Sequence, residues 1–177
     1  MKTSKYQSGF TIVELLIVIV IIGILAAITI VAFNGIQQRA RDSQRSSDVG
    51  VITKALELYY IDNGAFPAGD GSTTINSSWS TTADASWANL ITKLQPYLRT
   101  LPQDPISTPG ANVHVSGYNY AYFSNRSTGT SYCGAAQLQM YILVYRQEGS
   151  AQTNTSKGDC TTQVLSYSGA SNYRVVK

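Results

Sequence analysis

The sequence predicts an α+β fold in which one long N-terminal helix packs on a small antiparallel sheet. A run from Phe10 to Phe33, apolar except for Glu14 and two threonines, is followed by an amphipathic helical pattern, and short strand-like runs separated by Ser- and Gly-rich turns come later. No proline precedes Pro67, so nothing forces a break between Phe10 and about Tyr60. We therefore predict a helical stalk that carries a small head, like a lollipop.

The composition excludes several function classes. The 177 residues are 44% hydrophobic and only 13% charged, with a formal net charge of +3, whereas globular domains carry about 25% charged residues. This modest charge argues against a strongly basic nucleic-acid-binding protein. One histidine and two cysteines are too few for a His/Cys zinc cluster. No nucleophile–base pair or phosphate-binding loop is recognisable, so we expect no catalytic residue, no metal site and no cofactor.

The apolar run is long enough to cross a membrane. Its 24 residues, 10–33, correspond to about 36 Å of helix, compared with about 30 Å for the hydrocarbon core of a bilayer. A buried core helix would show a polar face, and a secretory signal peptide would have a shorter apolar stretch followed by a cleavage site. We therefore predict a membrane span. The lysines and arginines on its two sides leave its orientation open.

Residues 34–62 are predicted to be the amphipathic half of the same helix. Apolar and small residues recur at three- and four-residue steps from Ile36 to Val51 and Leu58, and Ile52 and Leu56 widen this stripe. We expect the Val51–Leu58 stripe to pack against the sheet. The nearby arginines are interpreted as a solvated helix face because acidic neighbours largely cancel their charge. These arginines are Arg39, Arg41 and Arg45, and the acidic neighbours are Asp42 and Asp48.

Residues 63–177 are predicted to form the globular head. Asp84 is expected to cap a short helix that ends near Pro96. Strand signals follow at Tyr118–Tyr122, Leu138–Tyr145, Val164–Tyr167 and Tyr173–Val176.

The two cysteines, Cys133 and Cys160, each precede a predicted strand. An even number of cysteines in a polar head outside a membrane suggests a disulfide between them. The alternative is a pair of buried free thiols in a reducing compartment.

Glu14 is the residue that stands out most, because a carboxylate near the start of an apolar span costs roughly 2.5–3.5 kcal/mol. Two interpretations remain open from the residues alone. The carboxylate reaches the lipid headgroups from the helix end, or it pairs with a positive group of a neighbouring chain.

The segment SGFTIVELLIVIVIIGILAAI resembles the N-terminus of type IV pilins and of the related pseudopilins of type II secretion. The resemblance implies a pilin-like fold and a basic leader, residues 1–9. A prepilin peptidase would cut between Gly9 and Phe10 and methylate the new amine of Phe10. It also implies that Glu14 meets the N-terminal amine of an adjacent subunit during assembly. Many type IV pilins have a helix-breaking proline where this chain has Val31, so helix flexibility is expected instead at Gly23 and Gly35.

The resemblance implies a structural protein with no enzymatic activity that polymerises through its N-terminal helix. The leading interpretation is a type IV pilus subunit serving adhesion, twitching motility or DNA uptake. The alternative is a pseudopilin that builds a short fibre for secretion or competence, and a membrane-anchored enzyme is a minor third. Expected partners are further copies of the chain, prepilin peptidase, the membrane assembly machinery and lipid before assembly, with a surface or DNA ligand of the filament left open. The subunit would cross the bacterial cytoplasmic membrane once, with its N-terminus inside, and then enter an extracellular filament.

If the resemblance holds, substituting Gly9→Leu should block cleavage, because the leader would no longer end in the glycine after which the peptidase of this family cuts. Intact-mass analysis of the unsubstituted chain should show the loss of residues 1–9 and the gain of one methyl group. Removing the leader lowers the formal net charge from +3 to +1, since it deletes Lys2 and Lys5 and no acidic residue. A product of mature size from the Gly9→Leu chain would contradict the assigned cut.

Overall fold

The computed structural model describes residues 9–126, 134–149 and 172–176, with no side-chain description at Val31, Ala32 and 172–176. Cys133, Cys160 and the predicted strand Val164–Tyr167 lie outside these ranges. The elements, in chain order, are α1 (Ile12–Asn63), β1 (Trp79–Thr81), α2 (Trp87–Leu94), β2 (Ala121–Ser124), β3 (Tyr141–Tyr145) and β4 (Asn172–Val176). The predicted α+β fold class is confirmed.

The chain divides into two compact units, 1–38 and 39–177, and the division falls within α1. In the first unit, the described large apolar side chains of α1 are all exposed. Of the described helices, α1 is the one long and apolar enough to cross a membrane, judged by length and composition.

The second unit is built on an antiparallel four-stranded sheet in the order β1-β2-β3-β4. Residues of α1, α2 and alternate strand positions form one core, which includes Ile52, Leu56, Leu90, Tyr122 and Leu143. The opposite face of the sheet has its own core, which includes Trp79, Val113, Phe123, Ile142 and Val144. Because both faces are buried, β3 consists of consecutive apolar residues with no polar alternation.

The predicted strand boundaries shift for local reasons. β2 begins at Ala121 because Asn119 turns its amide into the preceding loop, where it donates to the carbonyls of Thr108 (2.8 Å) and Ala111 (2.9 Å). β3 begins at Tyr141 because Leu138 has a left-handed backbone, with φ of 56°. β1 was absent from the sequence prediction, since three residues give too short a pattern to recognise.

The predicted helix cap was wrong. α2 begins at Trp87, and Asp84 lies outside it. Its carboxylate instead binds the loop before the helix, where it accepts hydrogen bonds from Ser72, Thr73, Thr74 and Ser86. Burial raises the pKa of Asp84, but these hydrogen bonds outweigh that effect and hold it well below its usual range.

The stripe of α1 that was expected to pack against the sheet is buried along one edge only. Ile52, Ala55 and Leu56 of this stripe are buried together with Val49, whereas Val51 and Leu58 are 39% and 48% exposed. At 3.6 residues per turn, positions 49, 52 and 56 share one side of the helix, and positions 51 and 58 fall near the other. The sequence has apolar residues on both sides, so periodicity alone does not select the buried one.

The buried and exposed leucines of α1 provide a matched pair for testing this phase. Leu56→Ala should lower the free energy of unfolding by about 2–5 kcal/mol, because it removes a fully buried side chain. Leu58→Ala should change it by no more than about 0.5 kcal/mol. Urea unfolding of the full chain in detergent, followed by tryptophan fluorescence, measures both. Equal losses in the two variants would contradict the observed phase.

Candidate functional site

The N-terminal segment carries the residues that the sequence singled out for processing and assembly. Gly9, Phe10 and Thr11 precede α1, and the Phe10 side chain is 80% exposed. A Cβ placed on Gly9 would meet no heavy atom within 4 Å. The chain on both sides of the predicted cut is therefore uncovered by the described residues.

The Glu14 side chain is held by Thr11, the residue directly before α1. Its Oε2 accepts hydrogen bonds from the backbone N–H of Thr11 (2.8 Å) and from Thr11 Oγ1 (2.7 Å), and its own N–H donates to Thr11 Oγ1 at 3.2 Å. This reciprocal arrangement is a capping box. The sequence prediction missed it, although the Thr-x-x-Glu spacing is the signal that would have found it. The other carboxylate oxygen, Oε1, accepts no hydrogen bond from the described residues.

Gly23 and Gly35, the predicted points of flexibility, both lie within α1. A Cβ at either position would meet no heavy atom within 4 Å, so neither glycine is required by packing within the described chain. Their role in bending the helix stays a prediction. Cys133 and Cys160 lie outside the described residues, so their pairing stays a prediction as well.

The expectation that the arginines form a solvated face was wrong for Arg45, whose side chain is fully buried. Its guanidinium makes a two-point contact with Asp104, from Nε to Oδ2 (2.7 Å) and from Nη2 to Oδ1 (3.0 Å). Its Nη1 donates to Asp42 (2.8 Å) and Glu148 (2.7 Å), and the group lies 4.9 Å from the ring centre of Tyr118. We call Arg41, Asp42, Arg45, Asp104 and Glu148 the ion cluster.

The ion cluster connects three distant segments. Arg41 makes a second two-point contact with Glu148, at 2.7 and 2.6 Å. Asp42 accepts from the backbone N–H groups of Glu148 and Gly149, both at 2.9 Å. α1, the loop at Asp104 and the segment after β3 are therefore joined by charge-assisted hydrogen bonds.

The charges in the ion cluster stabilise each other. The hydrogen bond from Arg41 lowers the pKa of Glu148 despite its burial, and Arg45 adds to this effect. Burial alone would lower the pKa of Arg45, but its hydrogen bonds to Asp104, Glu148 and Asp42 raise it. The cluster is built to stay ionised, which suits a structural role. Among the described residues, no group of three or more His, Cys, Asp or Glu side chains is placed to hold a metal ion.

Substituting Arg45→Met should lower the free energy of unfolding by about 3–5 kcal/mol, because it leaves buried carboxylates without their cation. The matched control is Arg39→Met, which removes an exposed arginine from the same helix and should cost no more than about 0.5 kcal/mol. Urea unfolding of the full chain in detergent measures both variants. Equal stabilities of the two variants would show that the ion cluster contributes little.

Two family models match the chain in succession. Residues 4–30 match the prokaryotic N-terminal methylation motif, and residues 33–128 match protein G of the type II secretion system. No solved structure matches the chain.

Curated relatives agree with the second match. A type II secretion system core protein G from Aeromonas hydrophila is 31% identical over 107 residues, covering 59% of this chain and 71% of the relative. The protein of that name from Vibrio cholerae is 29% identical over 140 residues, covering 73% and 80%. The protein of that name from Escherichia coli K12 is 30% identical over 108 residues, covering 59% and 70%.

These matches favour the predicted alternative, a pseudopilin, over a type IV pilus subunit. They also support the broader prediction of a structural protein of the pilin class and not an enzyme. Because the protein G match spans 33–128 of the 177 residues, more than half of the sequence, the chain belongs to the type II secretion system protein G family, whose members are pseudopilins.

Proposed function

We propose that this chain is a pseudopilin that assembles into a short periplasmic fibre of a type II secretion system. The observation that carries the proposal is the protein G match over residues 33–128, directly after a methylation motif. In the proposed sequence of events, the chain first crosses the cytoplasmic membrane with its N-terminus inside. Prepilin peptidase then cuts after Gly9 and methylates Phe10, and the assembly machinery moves the subunit from lipid into the fibre.

The exposed apolar half of α1 supports polymerisation. A helix that is apolar all round gains little by leaving lipid unless other helices replace the lipid around it. Copies of the same helix supply such a surface, so the fibre and the bilayer are alternative surroundings for one segment. The large apolar side chains described from Ile12 to Ile30 and at Phe33 are exposed, which is consistent with both.

Glu14 is proposed to direct this exchange. In the fibre its carboxylate would pair with the methylated amine of Phe10 in an adjacent subunit, where the low dielectric constant strengthens the attraction. Oε1 has no hydrogen bond from the described residues, so it is available to an incoming amine while Oε2 stays bound to Thr11.

The Cys133–Cys160 pair is proposed to form a disulfide in the oxidising periplasm. Closing a loop of about 28 residues would contribute on the order of 3 kcal/mol by restricting the unfolded chain.

Deleting the gene for this chain and restoring it separates the proposed function from a type IV pilus. Loss of exoprotein release into the medium, with no change in twitching or surface filaments, would support a secretion pseudopilin. Loss of twitching with normal exoprotein release would instead support a type IV pilus subunit and contradict the proposal.

Substituting Glu14→Leu should reduce the fibre fraction at least about tenfold, while the chain still inserts in the membrane and is still cut after Gly9. The reason is that the variant removes the partner of the incoming amine and leaves that amine unpaired in an apolar surrounding. The matched control is Val13→Leu, which changes a neighbouring exposed apolar residue and should assemble normally. Immunoblots of sheared fibres and of membranes measure both fractions. Normal fibre yield from Glu14→Leu would contradict the pairing.

A further inference from the structure

The unit of residues 39–177 has two ends that expose different side chains. Just before β3, Gln139 accepts a hydrogen bond from the hydroxyl of Tyr60 at 2.6 Å. Just after β3, Glu148 binds Arg41 at 2.7 and 2.6 Å. β3 therefore runs in the direction opposite to α1. We call the end at Arg41 and Glu148 the near end, because α1 continues from there into its apolar half, and the end at Tyr60 and Gln139 the far end.

A closed loop, residues 105–117, lies at the near end. Asp104, which precedes it, belongs to the ion cluster, and the strand that follows it, β2, begins beside the end of β3. The N–H of Thr108 donates to the carbonyl of Tyr118 across the loop at 3.2 Å. Farther out, the carbonyl of Asn112 accepts from three successive N–H groups at 3.0–3.1 Å. We call this segment the near-end loop, and its hydrogen bonds fix the backbone that carries its exposed side chains.

The near-end loop carries no charge and exposes apolar side chains. From 105 to 117 the sequence has no Asp, Glu, Lys or Arg. Its histidine, His114, packs edge-on against Trp79 with 4.9 Å between ring centres, and burial lowers the pKa of His114 to about 4, so the ring is neutral at pH 7. Ile106 and Val115 are 42% and 74% exposed. An uncharged loop with two exposed aliphatic side chains suits a boundary between water and an apolar phase.

The charges at the near end favour an anionic partner. Arg39, at the start of the unit, is exposed. The carboxylates of the ion cluster are buried and paired with arginines, so they do not oppose an incoming anion. Asp48 is half-buried and accepts a hydrogen bond from the hydroxyl of Tyr120 at 2.8 Å. The exposed carboxylates of the described part of this unit, Glu57 and Asp62, lie in the last two turns of α1, toward the far end.

We propose that the near-end loop rests on the outer face of the cytoplasmic membrane while the apolar half of α1 is still in lipid. Ile106 and Val115 enter the interface between the headgroups and the acyl chains, and Arg39 meets the headgroup phosphates. The membrane is the occupant because the chain enters it from this end of the unit, so the contact is intramolecular and has a high effective concentration. The inference rests on the membrane-inserted stage of the proposed function. Entry into the fibre then requires the subunit to give up this second contact as well as the lipid around its helix.

Quenching by labelled lipid tests this contact in the full chain. Val115→Cys and Ile61→Cys chains are labelled with an environment-sensitive fluorophore and inserted into vesicles of phosphatidylethanolamine and phosphatidylglycerol. Both positions are 74% exposed, but Ile61 lies at the far end, which makes it the matched control. The labelled unsubstituted chain gives the background from Cys133 and Cys160. A nitroxide on the lipid headgroup should quench the Val115 label at least about threefold more than the Ile61 label.

Flotation of the vesicles separates the possible failures. A chain that does not float with the vesicles contradicts the membrane stage of the proposed function and the inference with it. A chain that floats but shows equal quenching at the two positions overturns the inference and leaves the proposed function standing. Shielding of the Val115 label that increases with the protein-to-lipid ratio, without quenching by lipid, would show that a second copy covers the loop and would also overturn the inference.

Reversing the charge of Arg39 tests the electrostatic part of the contact. Arg39→Glu should lower lipid quenching of the Val115 label about twofold or more in the anionic vesicles, because it places a carboxylate next to the headgroup phosphates. The effect should be smaller in vesicles of phosphatidylcholine, which carry no net charge. Arg126→Glu reverses an exposed charge just after β2, at the far end, and is the matched control. Equal quenching in the Arg39→Glu and Arg126→Glu chains would overturn the electrostatic part of the proposal.

Discussion

The two halves of α1 require different surroundings, and this requirement constrains the rest of the structure. Over its first half the helix exposes apolar side chains in every direction, so it requires lipid or other helices on all sides. From Arg39 onward, the same helix has to offer one face to its own sheet and can leave the other uncovered. A sequence that meets both demands carries apolar residues on both faces of the outer half. The helix therefore needs some further feature to decide which face the sheet takes.

The ion cluster supplies that feature. Asp42 and Arg45 lie on the same side of α1 as Val49, Ile52 and Leu56, at successive steps of three and four residues. If the helix turned to bury Val51 and Leu58, Arg45 would lose Asp104 and Glu148, and those carboxylates would lose their cation. Buried ion pairs add little net stability compared with apolar residues, but breaking one is costly. Breaking the ion cluster by rotating the helix would therefore cost much more free energy than the intact cluster contributes to stability in the observed orientation.

This division explains what the sequence could and could not predict. The length of α1 and its helical type could be predicted from the sequence, because a long apolar run without proline forms a helix whatever the rest of the chain does. The sequence did not predict which edge of the stripe on its outer half is buried, because that side is fixed by contacts of Arg45 with Asp104 and Glu148, which lie 59 and 103 residues further along the chain. The role of Asp84 was missed for a similar reason, since its donors include Ser72, 12 residues earlier. The Thr11–Glu14 capping box, by contrast, is local and was recognisable from its spacing.

That capping box changes the energetic argument for assembly. If Glu14 were an unpaired carboxylate in lipid, a neighbouring amine would relieve its whole desolvation cost. With two donors from Thr11 already on Oε2, the free subunit has relieved part of that cost within its own chain. The driving force from pairing is therefore smaller than the cost of an isolated charge suggests. The contacts that polymerisation gains must then come largely from helix packing along the apolar first half of α1, whose described large apolar side chains are exposed.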